Sequence, residues 1–502
     1  MRGMNAPGIP AELAELAVEP RLWLDGRWAG GRASLAVTNP ATDNTLVEVA
    51  CAGEDELGTA IDGAAGALRI WGRTPAARRG DVLKQAAAMM KARRLALATV
   101  LTLEQGKPRI QALAEVDYAA SFFQWFGEEA RRLNGRIQPH PVPGFEYLVQ
   151  PVPAGVAGLV TPWNFPLAQG AKKVAAALAA GCTAVWKPAE LTPLVALAMG
   201  PLLAEADLPA GALQIVPAEG RVAGEVFTRD PRVRVLSLTG STQTGKTVAA
   251  AAARHLPRVS LELGGNAPFI VMPDADLDEA AADLVKLKLL CSGQVCVTAN
   301  RVFVPADREA AFLARLRSRW LAVQVGDGLR DGVEAGPLIN HAACQRIGAL
   351  VADAIGRGAE EVAVNRSHET GGAARRGSFF PPTILRGVSD DMALVTSEIF
   401  GPVAPVLTYA SVEEAVHRAN ATPFGLAAYV YGRDLAAARA VAEALEAGIV
   451  GVNEWRPLRA EIPFGGVKES GLGWEGGEEG LREFLELKTI AIPRPALDRS
   501  TS

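Results

Sequence analysis

A chain of 502 residues is too long for one compact core, so two or three domains are expected. With 49% apolar and 21% charged residues the mix is that of an ordinary soluble protein. A formal net charge of −4 gives no electrostatic reason for a nucleic-acid or membrane partner.

The opening stretch MRGMNAPGIPAELAEL lacks the apolar segment that a secretion signal needs, and residues 1 to about 18 and 495–502 read as loose ends. From Asp55 to Leu133, Ala, Leu and Val recur at three- and four-residue spacings, which predicts helices. The texture then changes. GVAGLVTPW, CTAVWKP, LQIVP and VRVLSLTG are short β-rich runs, followed by helical segments such as LVALAMGPLLAEA and KTVAAAAARHL. That alternation predicts a doubly wound parallel sheet, with ligands beyond the carboxyl ends of its strands. The apolar run from Val174 to Trp186 is broken by Gly181 and is too short to span a bilayer.

A second series follows Gly265: APFIVM, RVFVP, PTILRGV, PVLTYA, AAYVYG and GIVGVN, which predicts a second α/β domain. FEYLVQPVP at 145–153 and the late LELKTIAIP belong to neither series and read as exposed strands of the kind that pair between subunits. The five cysteines, Cys51, Cys182, Cys291, Cys296 and Cys344, lie in no CxxC or Cys/His metal spacing. Their odd number argues against a disulfide framework, so a reducing cytoplasm and no bound metal are expected.

Three motifs carry chemistry. GSTQTGKT at 240–247 matches the phosphate-binding GxxxxGK[ST] letter for letter, which opens a nucleoside-triphosphatase reading. The physical content of the segment is narrower: backbone N–H groups at a helix N-terminus face an anion, which a dinucleotide pyrophosphate also satisfies. ELGG at 262–265 sets a carboxylate before two glycines that let a ligand approach the backbone. GQVC at 293–296 sets Cys296 in a turn where a thiol can be exposed and reactive. Taken alone, Cys296 reads as structural more often than catalytic, and Asn164 of TPWNFP reads as a turn residue.

In combination they are specific. TPWNFP, AAGCTAVWKPAELTP, LTGSTQTG, SLELGGNAPFIV, GQVCVTANR, EIFGPV, FGLAAYVY and PFGGVKESGLG stand in the order of the aldehyde dehydrogenase superfamily, from about Leu22 to Pro493. The chain resembles that superfamily, and within it the succinate-semialdehyde dehydrogenase branch, through LTLEQGKP, YAASFFQWFGEEARR, ELGGNAPFIV and LEAGIVGVN. The resemblance implies an NAD(P)-binding α/β domain (19–136 and 156–264) and a catalytic α/β domain (265–462). A small β bridging or oligomerisation element (137–155 and 477–494) would complete a homodimer or homotetramer.

The resemblance also implies roles. Cys296 is the nucleophile, Asn164 with the Cys296 backbone N–H holds the oxyanion, and Glu262 activates the water that hydrolyses a thioester. A CoA-acylating variant is the alternative within the family, which retention of Glu262 opposes. For NAD or NADP, the matching positions are Thr161, Trp163, Lys187, Glu190, Gly240, Ser241, Gly245, Glu398 and Phe400. Glu190 stands where the nearest bacterial relatives carry Ser; its carboxylate suits ribose hydroxyls and repels a 2′-phosphate, so NAD is preferred and NADP possible. Cys182 and Cys344 read as core fillers and Cys291 is open. Thr298 replaces the second Cys of a regulatory disulfide, so that switch is absent.

For the substrate, semialdehyde enzymes hold a distal carboxylate with two Arg and a Ser, whose positions here are Lys172, Leu290 and Leu458. Arg456 and Arg459 are new cations nearby, either facing the site or solvated. Phe165, Trp125, Phe126 and Phe464 are expected to line an apolar tunnel for succinate semialdehyde or a longer, medium-chain or aromatic aldehyde.

Overall fold

The computed structural model describes residues 11–367 and 376–494. Its first sheet has eight strands in the spatial order Arg27–Ala29, Leu22–Leu24, Leu213–Ile215, Thr183–Lys187, Val156–Val160, Val233–Thr239, Arg258–Glu262 and Gly471–Leu472. The five from Leu213–Ile215 to Arg258–Glu262 run parallel. Thr183–Lys187 is buried on both faces, which is why TAVWK is apolar without alternation until its terminal Lys187. The chain runs outward from Val156–Val160 to one side and returns to place Val233–Thr239 on the other. The gap between those two strands is therefore the switch point where an open α/β sheet binds ligands.

The apolar run from Val174 to Trp186 splits as its glycine predicts. A helix, Pro166–Ala180, starts with proline in its first turn and stops at Gly181, whose φ of +90° suits a C-terminal glycine. All fifteen of its residues are buried, because the helix lies between the first sheet and the helices Ala76–Ala92 and Arg109–Glu129.

The second sheet has seven strands in the order Glu360–Val364, Thr383–Arg386, Val403–Tyr409, Ala299–Pro305, Ala267–Val271, Ala427–Tyr431 and Ile449–Val452. Only Glu360–Val364, at one edge, is antiparallel. This is the second α/β series of the sequence.

The two outlying strands meet each other. Leu485–Pro493 pairs antiparallel with Phe145–Pro153 over nine residues, and Arg136–Pro139 lines the far side. Each thus has a backbone partner within the chain, and Leu485–Pro493 stands at the edge of this three-stranded sheet. The amino-terminal expectation changes: Ala11–Glu15 is a short helix, and Leu13, Leu16 and Val18 are buried against the first core. The rest of the two expected loose ends, 1–10 and 495–502, lies outside the described residues. The hairpin Ala33–Thr38 with Thr45–Cys51 escaped the sequence reading because its strands are short and half exposed. Among the described residues no helix is long and apolar enough to cross a membrane.

Candidate active site

Cys296 reaches the gap between the two large sheets through a strained reversal. The helix Leu277–Leu289 ends at Leu290, and Cys291, Ser292 and Gly293 then take three consecutive left-handed conformations. Only the last is glycine, so the turn stores backbone strain of the kind found at functional sites. A Cβ at Gly293 would lie 2.2 Å from the Gly401 carbonyl, and one at Gly265 would lie 2.3 Å from the Cys296 carbonyl. Gly293 of GQVC and Gly265 of ELGG are therefore required by close backbone approach.

The two neighbouring thiols differ in setting. Cys296 is half-buried and lines a cavity of about 450 Å³. Cys291 is buried, accepts a hydrogen bond from Gln105 Nε2 at 3.1 Å, and faces the Asn164 carbonyl at 3.6 Å. Desolvation pushes the Cys296 thiol up to about 12, opposed chiefly by Lys172. Unlike the ready thiolate expected of an exposed turn, this thiol must give up its proton on the way to attack.

Asn164 is buried on the turn between the strand Val156–Val160 and the helix Pro166–Ala180. Its Nδ2 donates to the Gln294 carbonyl at 2.9 Å, which leaves its second amide proton uncommitted by that bond and ties it to the Cys296 loop. A buried ion pair holds the turn. Lys107 Nζ donates to Glu115 Oε2 and to the Asn164 carbonyl at 2.7 Å, and stands 3.7 Å from the Phe165 ring centroid. Glu115 Oε1 accepts the Leu167 and Ala168 N–H groups at 3.0 and 3.2 Å, satisfying two free donors of the helix start.

Glu262 ends its strand 2% exposed, and neither carboxylate oxygen accepts a hydrogen bond from the protein. Desolvation, then Glu475, raise its pKa well above the ordinary carboxylate value, while Lys172 and Lys173 oppose them. Lys173 Nζ lies 2.5 Å from Glu475 Oε1, and Lys172 Nζ 3.6 Å from Glu475 Oε2. Burial alone would lower the Lys172 pKa, but Tyr118, Glu475, Cys296 and Glu262 together raise it. A thiol, a carboxyl and a lysine thus share one buried pocket, with charges that can compensate one another as protons move.

Phe165, Lys172, Leu290, Leu458 and Phe464 line the cavity, and Lys172 stands over the Phe464 ring. Trp125 and Phe126 do not. Phe126 is fully buried in the first core, and Trp125 turns the other way to donate to the Gly477 carbonyl. About two to three turns earlier on the same helix, Tyr118, Glu115 and Ala114 line the cavity instead.

On the opposite side, Lys187 Nζ donates to Glu190 Oε2 at 2.7 Å, and Glu190 Oε1 accepts the Gly220 N–H at 2.6 Å. Both sit beyond the carboxyl end of Thr183–Lys187, and Thr161 and Trp163 follow the adjacent strand. Thr161 Oγ1 accepts from Trp186 Nε1, a positioning contact beneath the crevice. Glu398 Oε1 accepts the Gly265 N–H at 3.2 Å, and burial pushes its carboxyl up to about 7. Phe400, left-handed at φ +50°, meets Trp163 edge-on at 5.4 Å. These groups gather at the sheet's switch point and suit a dinucleotide: an acid with a lysine at one end, aromatic rings and a second acid at the other.

The GSTQTGKT segment opens the helix Thr242–Ala252, but it is not a triphosphate cradle. Ser241 Oγ caps the helix by accepting the Thr244 N–H, and Lys246 turns outward to pair with Glu469 at 2.8 Å. Gly245 packs closely, since a Cβ there would lie 2.4 Å from the Leu263 side chain. Gly240, half-buried, and the Ser241 backbone remain at the crevice. Among the described residues no group of His, Cys, Asp and Glu is placed to hold a metal ion.

A cluster of strand-end groups at the sheet's switch point on one side of a half-buried thiol, and an organic cavity on the other, suit an oxidoreductase of the nicotinamide-dependent class. The family model for the aldehyde dehydrogenase family matches residues 28–490, and the chain belongs to that family. It is 43% identical over 471 residues to the mitochondrial succinate-semialdehyde dehydrogenase of Arabidopsis thaliana, covering 93% of this chain and 88% of the relative. It is 42% identical over 470 residues to the NADP(+) succinate-semialdehyde dehydrogenase GabD of Escherichia coli, covering 94% and 96%. The crystal structure of an E. coli NADP dependent enzyme superposes with a TM-score of 0.92 at 41% identity, over 96% of this chain and 99% of that one.

Proposed function

We propose that this enzyme oxidises an aldehyde to the carboxylic acid through a thioester on Cys296. The observation that carries the reading is the half-buried Cys296 at the cavity beside Glu262, a buried carboxyl with no protein donor on either oxygen. Cys296 Sγ bonds to the aldehyde carbon, its proton passing to a base in the pocket, while Asn164 Nδ2 and the Cys296 N–H hold the oxyanion. A nicotinamide dinucleotide, which Lys187, Glu190, Ser241 and Glu398 would hold, would supply the acceptor for the hydride of the thiohemiacetal carbon. Glu262 then takes a proton from water as the water oxygen attacks the thioester, and the acid departs with the thiol restored. Glu262 supports hydrolysis over transfer to CoA.

The dinucleotide is assigned to 19–136 with 156–264, the chemistry to 265–462, and subunit bridging to 137–155 with 477–494. NAD is the preferred cofactor and NADP a poorer one, because the Glu190 carboxylate stands where a 2′-phosphate would come. Leu290 and Leu458 in the cavity wall support an aldehyde longer than succinate semialdehyde, which is accepted but is not the best substrate. Five free thiols suit a reducing cytoplasm. The edge strand Leu485–Pro493, with Leu487 exposed, supports a homodimer or homotetramer. An aldehyde panel read by reduction of each cofactor tests the reading. Reduction with acid as product is expected; acyl-CoA formed in preference to acid would contradict it.

A further inference from the structure

The aldehyde cavity changes character between its two ends. Beside Cys296 its cation is already engaged: Lys172 is buried, 3.6 Å from Glu475 and 3.6 Å from the Phe464 ring centroid. Beyond it Ile110, Val285, Leu289, Leu290, Val323 and Leu458 form an apolar wall. A carboxylate tethered to the aldehyde by two methylenes would stop beside these groups, where desolvation is costly and the lining offers a neutral donor, the unpartnered Tyr118 hydroxyl, rather than a free cation.

Three charged residues stand at the exposed end. Lys286 is held by Asp283 at 2.9 Å, and Glu334 accepts the Gln324 N–H at 3.2 Å. Arg456 is different. It lines the cavity and is exposed, yet among the described residues its guanidinium makes no hydrogen bond or ion pair. Its charge is felt inside: burial pushes Tyr118 up, and Lys172 and Arg456 oppose that shift. The other new cation, Arg459, is spent on the carbonyls of Arg456 and Leu458.

We infer that Arg456 is the anion-binding residue of the substrate site, and that the preferred substrate is an aldehyde whose carboxylate or sulfonate lies beyond a longer apolar spacer than that of succinate semialdehyde. This rests on the proposed aldehyde oxidation at Cys296. The cavity's volume of about 450 Å³ fits the inference, since sites of roughly 300–1,000 Å³ take drug-sized ligands. A guanidinium fork suits such an anion in bidentate fashion, and its exposure keeps the desolvation cost low.

The test compares kcat/KM for 6-oxohexanoate, hexanal and succinate semialdehyde in the native enzyme and in Arg456→Leu and Arg456→Lys. In the native enzyme 6-oxohexanoate is expected to exceed both others. In Arg456→Leu the ratio of 6-oxohexanoate to hexanal should fall roughly ten- to a hundredfold, mainly through KM, the loss expected for one charge-assisted bond. Arg456→Lys should recover part of it. An unchanged ratio, or a native preference for hexanal, would overturn the inference while leaving aldehyde oxidation standing. Failure to oxidise any of the three would overturn the underlying reading and this one with it.

Discussion

Lys107 and Glu115 form an ion pair with neither side chain exposed, and together they fix the turn that carries Asn164. The pair joins three elements: the loop after the helix Arg94–Gln105, the helix Arg109–Glu129, and the start of the helix Pro166–Ala180. Removing one partner leaves the other charged and buried, which costs about 3–5 kcal/mol, whereas replacing both with apolar groups costs less. Glu115→Leu should therefore lower stability to denaturant more than the double variant Lys107→Met with Glu115→Leu. A double variant at least as unstable as the single one would show that the pair stabilises outright.

Glu262→Gln should keep a burst of reduced cofactor and lose most steady-state turnover, because acylation does not need the water-activating base. Rapid-mixing absorbance separates the two phases. Loss of the burst as well would place Glu262 in the first half-reaction too.

The pH dependence follows from the same carboxyl. Desolvation first, and Glu475 second, raise Glu262 above 4.5, so its basic form accumulates only as pH rises well past that value. The acid limb of kcat should accordingly lie above the ordinary carboxylate range. The sign for folding is the same in origin: the folded state holds this proton more tightly than the unfolded chain. The associated stability is thus present below pH 4.5 and is lost as pH rises toward the folded value. A kcat limb centred near 4.5 would mean that Glu262 is better solvated in the working enzyme.

Glu190→Ser should shift the kcat/KM ratio toward NADP+ by removing a carboxylate that repels the 2′-phosphate. The change also strips Lys187 of its partner at 2.7 Å, leaving that cation to meet the phosphate. A higher native kcat/KM with NADP+ than with NAD+ would reverse the assignment.

Much of this was legible in the sequence because the relevant constraints are local. Gly181 and Pro166 mark the ends of one helix, and short β-branched runs mark the parallel strands. Gly265 of ELGG and Gly293 of GQVC are forced by approaches of 2.2–2.3 Å that no larger residue allows. What escaped depends on contacts distant in the chain. Glu475 meets Lys172 and Lys173 some 300 residues earlier, and nothing in GLGWEGG signals it. Lys107 and Glu115 stood inside LTLEQGKP and the segment after it, but only the folded turn reveals their partner Asn164. Trp125 and Phe126 failed for a related reason: an aromatic-rich helix has several turns, and its Ile110–Tyr118 part is what reaches the cavity. Lys246 shows the reverse error, a motif complete in letters whose lysine faces solvent.

The most direct test of the central claim is to locate the acyl group. The Glu262→Gln enzyme, mixed with aldehyde and NAD+ and quenched in acid, should carry one acyl adduct by peptide mass spectrometry, on Cys296. Cys291, fully enclosed and bonded to Gln105, should be unmodified, and Cys291→Ala should leave the adduct in place. An adduct on Cys291, or reduced cofactor formed with no thioester on either residue, would contradict the account.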